Sequence, residues 1–355
     1  MTNLFNNCFL TMEFGSNSVK ILESKMKGKK IFVNKSSIIE LSQDVIKDGK
    51  IENIEEIREV LKNVFETGKF TAKKVNITIK SSSVISRNIL TPKANEKDMD
   101  TMVKYEVEDQ LPVNAMDYEI KYKMLGQKTL NDEVLNEVNV ILFPKKIAKE
   151  YWELINYLKL KPKVLNLNSN AIEKLFSTRN IKLKREYSDS EGIFVIIDIG
   201  FKNIELNIIS EGSTQFSRIL SGGGKYLDNI IYNEMLDDEE KKQEFKKKYA
   251  DLMYDINKTD PSVAEINDSI KAEVDRWIKD IDRVIDYYMN QNKEKKLEHI
   301  YIHGGTANVK GLTHYMEQYL NVSVSIIELR NIKSSDLKFN KNYERYINII
   351  GATIR

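Results

Sequence analysis

The chain has 355 residues, 41% hydrophobic and 30% charged, enough for two lobes with separate cores. Its 55 basic side chains nearly cancel 53 acidic ones, and a net charge of +2 excludes a strong global field for nucleic acid or anionic lipid. One cysteine cannot form an internal disulfide, three histidines leave little for a zinc site, and no apolar run reaches the roughly 20 residues that span a bilayer.

The N-terminus lacks the pattern of a signal peptide, so a reducing cytosol is the expected setting. Residues 9–14, 19–24 and 30–41 read as three strands joined by short polar turns. Ile51, Ile54, Ile57, Leu61, Val64 and Phe65 follow at helical spacing, and Val75 to Ile79 alternates as a strand. From residue 84 the character changes: strand 85–90, helix 96–110, strands near 118–125 and 138–143, and helix 145–158 make a small α+β block. Strand 164–167 and helix 169–176 resume the first lobe, and the polar stretch 178–191 marks the lobe boundary.

The second lobe opens with strands at 193–199, 203–209 and 214–220 and a helix through Leu227 to Met235. The charge run 237–248 reads as a solvated helix surface. Asp260 and Pro261 open a long helix, with Ser262 and Glu265 at capping-box spacing and Val263, Ile266, Ile270, Val274, Trp277, Ile281, Val284 and Tyr288 on its buried face. Strand 299–303, a turn at Gly304 and Gly305, helix 309–320, strand 322–327 and a closing helix over 343–355 complete the chain. The expected units are 1–83 (first lobe), 84–162 (inserted subdomain), 163–190 (end of the first lobe and linker), 191–330 (second lobe) and 331–355 (closing segment).

Two hairpins share one pattern: an apolar strand ends in an acid, one apolar residue and a glycine, then turns into a second strand. Glu13 matches Asp198, and Gly15 matches Gly200. An acid beside a glycine turn suits a phosphate and its metal, the acid reaching Mg2+ through water and the turn offering N–H groups. Two such turns in two halves suggest a ligand clamped between lobes, or a duplicated scaffold that has lost it. Gly222, Gly223 and Gly224, followed by Lys225, lead into a helix whose N-terminus could meet an anion or a ribose and purine edge; a flexible turn is the competing reading. Gly304 and Gly305 repeat that logic, with His303 a strand-end residue rather than a catalyst. Glu273 and Arg276 are either a surface ion pair or cleft residues for ribose and adenine.

The order of hairpin, insertion, hairpin, glycine turn, long helix and Gly-Gly turn resembles the actin-like ATPase superfamily, which includes FtsA, ParM and the sugar kinases. Within it the chain is most similar to the PilM family of type IV pilus assembly proteins. Glu13 to Lys20 looks like that family's first phosphate loop. Leu90 to Pro92, Tyr105 to Pro112 and Asp117-Tyr118 look like the opening of its inserted subdomain. His303 to Leu312 and Tyr319 to Val324 look like its adenosine motif and the strand after it.

The resemblance implies an α/β, bilobed actin-like ATPase fold of duplicated RNase H-like lobes with an inserted α+β subdomain. It implies ATP and Mg2+ between the lobes. Glu13 and Asp198 would face the metal, and Ser16, Asn17, Ser18, Lys20, Gly200, Lys202 and Asn203 the phosphates. Gly222 to Gly224, Glu273, Arg276, Gly304 and Gly305 would line the nucleoside. The implied partner is the N-terminal cytoplasmic segment of the inner-membrane protein PilN, bound beside the insertion, which would hold the chain at the inner face of the membrane. Two departures stand out: Glu13 where the family has Asp, and Phe201, Lys202 and Asn203 where it has small hydroxyl residues. They imply a nucleotide-holding scaffold and at most a weak ATPase. An FtsA-like filament or membrane-associated protein is the alternative, and a small-molecule kinase a weaker one.

Overall fold

The computed structural model describes residues 8–67, 70–178, 180, 192–235 and 250–354. The chain opens with an antiparallel meander, β1 (Phe9–Phe14), β2 (Ser18–Lys27) and β3 (Lys30–Glu40). A two-residue ribbon, β4 (Ile46–Lys47) and β5 (Lys50–Ile51), leads to α1 (Ile54–Glu66), whose first turn is capped by the Asn53 side chain accepting from the Glu56 N–H. Strand β6 (Lys74–Ile79) then pairs parallel with β1.

The insertion follows: β7 (Ile85–Thr91), α2 (Glu96–Gln110), β8 (Tyr118–Leu130) and β9 (Glu133–Pro144). Its three strands form a separate sheet in the order β7-β9-β8, and α2 covers one face through Met99, Val103 and Val107 against Ile89, Val138, Val140 and Leu142. The next helix, α3 (Lys145–Tyr157), does not join this core, although its sequence position reads as the insertion's last element. Ile147, Tyr151, Leu154 and Ile155 pack into the first lobe instead; the Tyr151 ring meets Phe14 edge-on at 4.9 Å, and its hydroxyl donates to the Gly49 carbonyl at 2.9 Å. The insertion's own core therefore ends with β9. Strand β10 (Lys161–Leu167) pairs parallel with β6, and α4 (Asn168–Ser177) ends this lobe.

The second lobe repeats the path with β11 (Gly192–Ile199), β12 (Asn203–Ser210) and β13 (Ser213–Ser221), then α5 (Gly224–Met235). The long helix α6 (Pro261–Gln291) is capped by Asp260, whose carboxylate accepts from the Ser262 N–H; Ser262, expected as the cap, lies inside the first turn. Strand β14 (Lys296–His303) runs parallel to β11, α7 (Leu312–Leu320) starts three residues later than expected, and β15 (Val324–Ile326) pairs with β14. The chain then returns to the first sheet with β16 (Ile332–Ser334) beside β3, followed by α8 (Leu337–Lys341), a 3-10 turn over Tyr343–Tyr346 and α9 (Ile347–Thr353). The charge run 237–248 and most of the 178–191 boundary stretch lie outside the described residues.

The strand order β3-β2-β1-β6-β10, extended by β16, matches β13-β12-β11-β14-β15 in the second lobe. The two sheets are copies of one topology. Helices α4 and α9 fill the joint between them. Leu22 and Ile31 from the first sheet, Phe194, Ile196 and Tyr301 from the second, and Ile172, Leu175, Ile347 and Ile350 from the helices form one buried cluster. The closing helix is thus core, not a displayed amphipathic surface. Its Gly351 lies so close to α4 that a Cβ there would overlap the Ala171 carbonyl oxygen. Backbone against backbone cannot yield as a flexible side chain would. We expect Gly351→Ala to destabilise the protein by about 2–3 kcal/mol or more, read as a lower denaturant midpoint.

Candidate functional site

Strand periodicity decides what faces the joint. On β1, Leu10, Met12 and Phe14 pack into the first lobe's core, so Thr11 and Glu13 point the other way, towards α9. On β11, Ile193, Val195, Ile197 and Ile199 fill the second core, leaving Phe194, Ile196 and Asp198 on the joint face. Both acids therefore look into the same space. The two turns also match in detail: the Gly15 N–H donates to the Ser18 carbonyl at 3.0 Å and the Gly200 N–H to the Asn203 carbonyl at 3.1 Å. These N–H groups close their own turns instead of lying open to a phosphate.

The acids sit in a compact buried cluster. Lys20, cross-strand from Glu13, places Nζ 2.9 Å from Glu13 Oε2. Lys80, the residue after β6, reaches across the cleft to within 3.4 Å of Asp198 Oδ2 and of the Asn203 carbonyl. Between the acids, Asn348 of α9 donates from one Nδ2 to Glu13 Oε1 at 3.1 Å and to Asp198 Oδ2 at 3.0 Å. His303 Nδ1 lies 3.9 Å from Asp198 Oδ1. Glu205 is directly opposite Asp198 in the β11–β12 register. Glu205 Oε2, His303 Nε2 and Asn348 Oδ1 are buried without a partner among the described residues, as expected where a polar occupant belongs.

Sequence reasoning does not find Lys80, Asn348 or Glu205. Lys80 carries a signal: Val75, Ile77 and Ile79 fill the core, so Asn76, Thr78 and Lys80 continue the opposite face. Asn348 is a lone amide within an isoleucine-rich run.

The remaining expected residues fall into two groups. Ser16 and Asn17 lie half-buried in the first turn, with Ser18 buried at the start of β2. Lys202 does not point to the cluster; its Nζ pairs with Asp44 of the first lobe at 2.5 Å, bridging the lobes at the cleft mouth. Gly222, Gly223, Gly224 and Lys225 do not offer an open helix N-terminus. Gly224 donates its N–H to the Gly200 carbonyl at 3.0 Å and Lys225 to Phe201 at 2.8 Å, so the glycine run clamps the second turn. A Cβ at Gly223 would overlap the Gly200 carbonyl oxygen, and its φ of +123° suits glycine alone. Glu273 accepts from Trp277 Nε1 at 2.6 Å and pairs with Arg276, whose guanidinium lies 5.3 Å over the Tyr226 ring. Gly304 passes so close to Asp198 that a Cβ would strike its carboxylate, and Gly305 is exposed beside Arg345, whose Nε is buried without an acceptor among the described residues. A six-residue loop, 306–311, separates this Gly-Gly turn from α7, so it does not feed a helix directly.

A family model described as type IV pilus assembly protein PilM matches residues 11–345. The chain belongs to this PilM family. Among solved structures, the PilM-PilN type IV pilus biogenesis complex superposes with a TM-score of 0.80 at 16% identity, covering 98% of this chain and 97% of that one. The ethanolamine utilization protein EutJ from Carboxydothermus hydrogenoformans gives 0.56 at 13% identity, over 100% and 92%. MreB5 of Spiroplasma citri bound to ADP gives 0.53 at 13%, over 98% and 96%. No curated protein matches the chain. The fold is that of the actin-like ATPases, and the chain is an actin-like protein of type IV pilus assembly.

For a PilM-family chain, the donor set suits a phosphate better than a hydrated Mg2+. Both Glu13 oxygens and Asp198 Oδ2 already accept from ammonium or amide groups, and among the described residues no group of three or more His, Cys, Asp or Glu could hold a metal ion. A dication between these acids would sit beside two ammonium groups.

The charges set the protonation states. Burial raises the Asp198 carboxyl, but Lys80, His303, Lys20 and the Asn348 amide together hold it well below the usual carboxylate range. Burial lowers His303, only partly offset by Asp198 and Glu13. Burial pushes Glu205 up to about 7; the Asp198 and Glu13 charges add to this, and Lys80 only partly opposes it. Glu205 thus binds its proton more tightly folded than unfolded, so its contribution to stability falls as pH rises from 4.5 through about 7. Asp198 acts in the opposite sense, below pH 3.8. Comparison with Glu205→Gln cancels the other groups. Relative to that variant, the native protein should lose up to about 3 kcal/mol between about pH 4.5 and 8, measured by denaturant unfolding. A pH-independent difference would contradict a buried, proton-binding Glu205.

Proposed function

We propose that the chain is a cytoplasmic nucleotide-binding scaffold of type IV pilus assembly, holding ATP between its lobes and docking the N-terminal cytoplasmic segment of PilN beside the insertion. The observation that carries the nucleotide half is the convergence of Glu13 and Asp198, at the ends of the equivalent strands β1 and β11, with Lys20 of β2 and Lys80 just beyond β6. In open α/β sheets the carboxyl ends of parallel strands are where ligands bind. The likeness to MreB5 bound to ADP supports the same reading.

Chemistry beyond binding is weakly equipped. Hydrolysis needs a group to orient or deprotonate water; Glu13 and Asp198 are each already paired with a lysine, and Glu205 is buried and holds its proton up to about pH 7. The bulky Phe201 stands in the second turn, where a phosphate would have to approach closely. Slow or absent turnover follows, and the bound nucleotide acts chiefly to fix the lobes.

The partner half is supported by family membership and by the likeness, over nearly the whole chain, to a PilM solved together with PilN. Apolar side chains stand exposed on and beside the insertion, with Tyr105 on α2, Met116 in the turn before β8 and Trp152 on α3. Lys145 Nζ donates to the Met116 carbonyl at 2.9 Å and ties that turn to the start of α3. A short peptide binding here would hold the chain at the inner face of the membrane. No helix among the described residues is long and apolar enough to cross a membrane, which agrees with attachment through a partner.

Calorimetric titration with ATP, then with the PilN N-terminal peptide, tests both halves. ATP should bind below millimolar concentration and at least about tenfold more weakly to Lys20→Met, which leaves the Glu13 carboxylate facing the phosphate, a loss of roughly 1.4 kcal/mol. The peptide should bind natively and weaken in Met116→Asp, an exposed substitution that leaves stability within about 0.5 kcal/mol. Absence of heat with millimolar ATP would remove the nucleotide half, and unchanged peptide affinity in Met116→Asp would move the docking surface elsewhere.

A further inference from the structure

The second lobe's turn has largely closed its own backbone cradle. The N–H groups of Gly200, Gly224 and Lys225 are all donated to carbonyls within or beside that turn, and Gly15 does the same in the first lobe. The charged donors that the cleft offers an anion are ammonium groups. Lys20 and Lys80 line its base, from opposite sides of the first sheet's central strand, and Lys202 stands at its mouth.

The acids show the complementary feature. In a site built for a hydrated dication, facing carboxylates keep lone pairs for its water shell. Here one Asn348 amide spans them, donating to both at 3.1 and 3.0 Å, and each has its own lysine. Lysine is a flexible point charge that can swing from carboxylate to phosphate without rebuilding the backbone. The Lys202–Asp44 pair is the most easily exchanged, because the Asp44 side chain is 61% exposed and water can solvate it once released.

We infer that this chain meets the phosphate charge of its nucleotide with Lys20, Lys80 and Lys202, and that binding does not require a divalent cation. The inference rests on the nucleotide reading above and adds what neutralises the ligand. Lys202 changes partner from Asp44 to phosphate on binding, so the cross-cleft pair opens as the ligand enters. The three ammonium groups take the place that a metal ion holds where acids are left unpaired.

The test is calorimetric titration of the full chain with ATP in excess EDTA and, separately, in excess magnesium chloride. The dissociation constants should agree within about threefold, and Lys202→Met should weaken binding at least about fivefold in EDTA while its thermal melt stays that of the native chain. Affinity that falls about tenfold or more in EDTA overturns the inference and leaves the nucleotide reading standing. Unchanged affinity of Lys202→Met in EDTA overturns the lysine assignment. No binding in either buffer overturns both readings.

Discussion

Two carboxylates facing each other at the buried meeting point of two lobes are costly to bury unless cations and donors accompany them into the interior. Glu13 and Asp198 are in that position, at 4% and 6% exposure. Lys20, Lys80 and the bridging Asn348 amide meet the requirement, each from a different element. Lys80 joins the first lobe to the acid of the second, and Asn348 joins both acids to the helix that fills the joint. Much of what fixes one lobe against the other thus runs through charge compensation at a single point, above an apolar cluster formed by α4 and α9.

The duplicated topology explains how such a point arises. Each lobe sends its first strand down the middle of a sheet, with apolar residues alternating into its own core and the opposite face turned to the joint. An acid at the last inward position of both strands is then bound to face its twin. The closing segment runs back from the second lobe to β16 and α9, so the chain's last helix becomes part of the site formed by its first strand. Packing there is close enough that Gly351 has no space for a methyl group.

The hairpins, the matching acids and glycines and most elements were legible because strand alternation and helical spacing are local signals. The extent of α2 could be read directly, from Glu96 to Gln110. What local signals could not carry was tertiary partnership. Helix α3 follows the insertion in sequence, yet its Tyr151 belongs to the first core because that is where Phe14 and the Gly49 carbonyl lie. The glycine run at 222–224 reads as an anion cradle, but the Gly222 and Gly224 N–H groups go to the Lys202 and Gly200 carbonyls. Lys202 pairs with Asp44, 158 positions away, a contact that is invisible to any motif. Asn348 lies 335 residues from Glu13, and only the fold brings them together.

Charge compensation already joins the two lobes at one point, and in the proposed function a bound nucleotide would reinforce that joint. The decisive measurement is a double-mutant cycle between Lys80 and Asp198, read by denaturant unfolding of Lys80→Met, Asp198→Asn and the double variant. Each single change leaves a buried charge without its partner and should cost about 3 kcal/mol or more, while the double variant should cost at least about 2 kcal/mol less than the sum. Additivity within about 0.5 kcal/mol would mean that the pair does not couple the lobes.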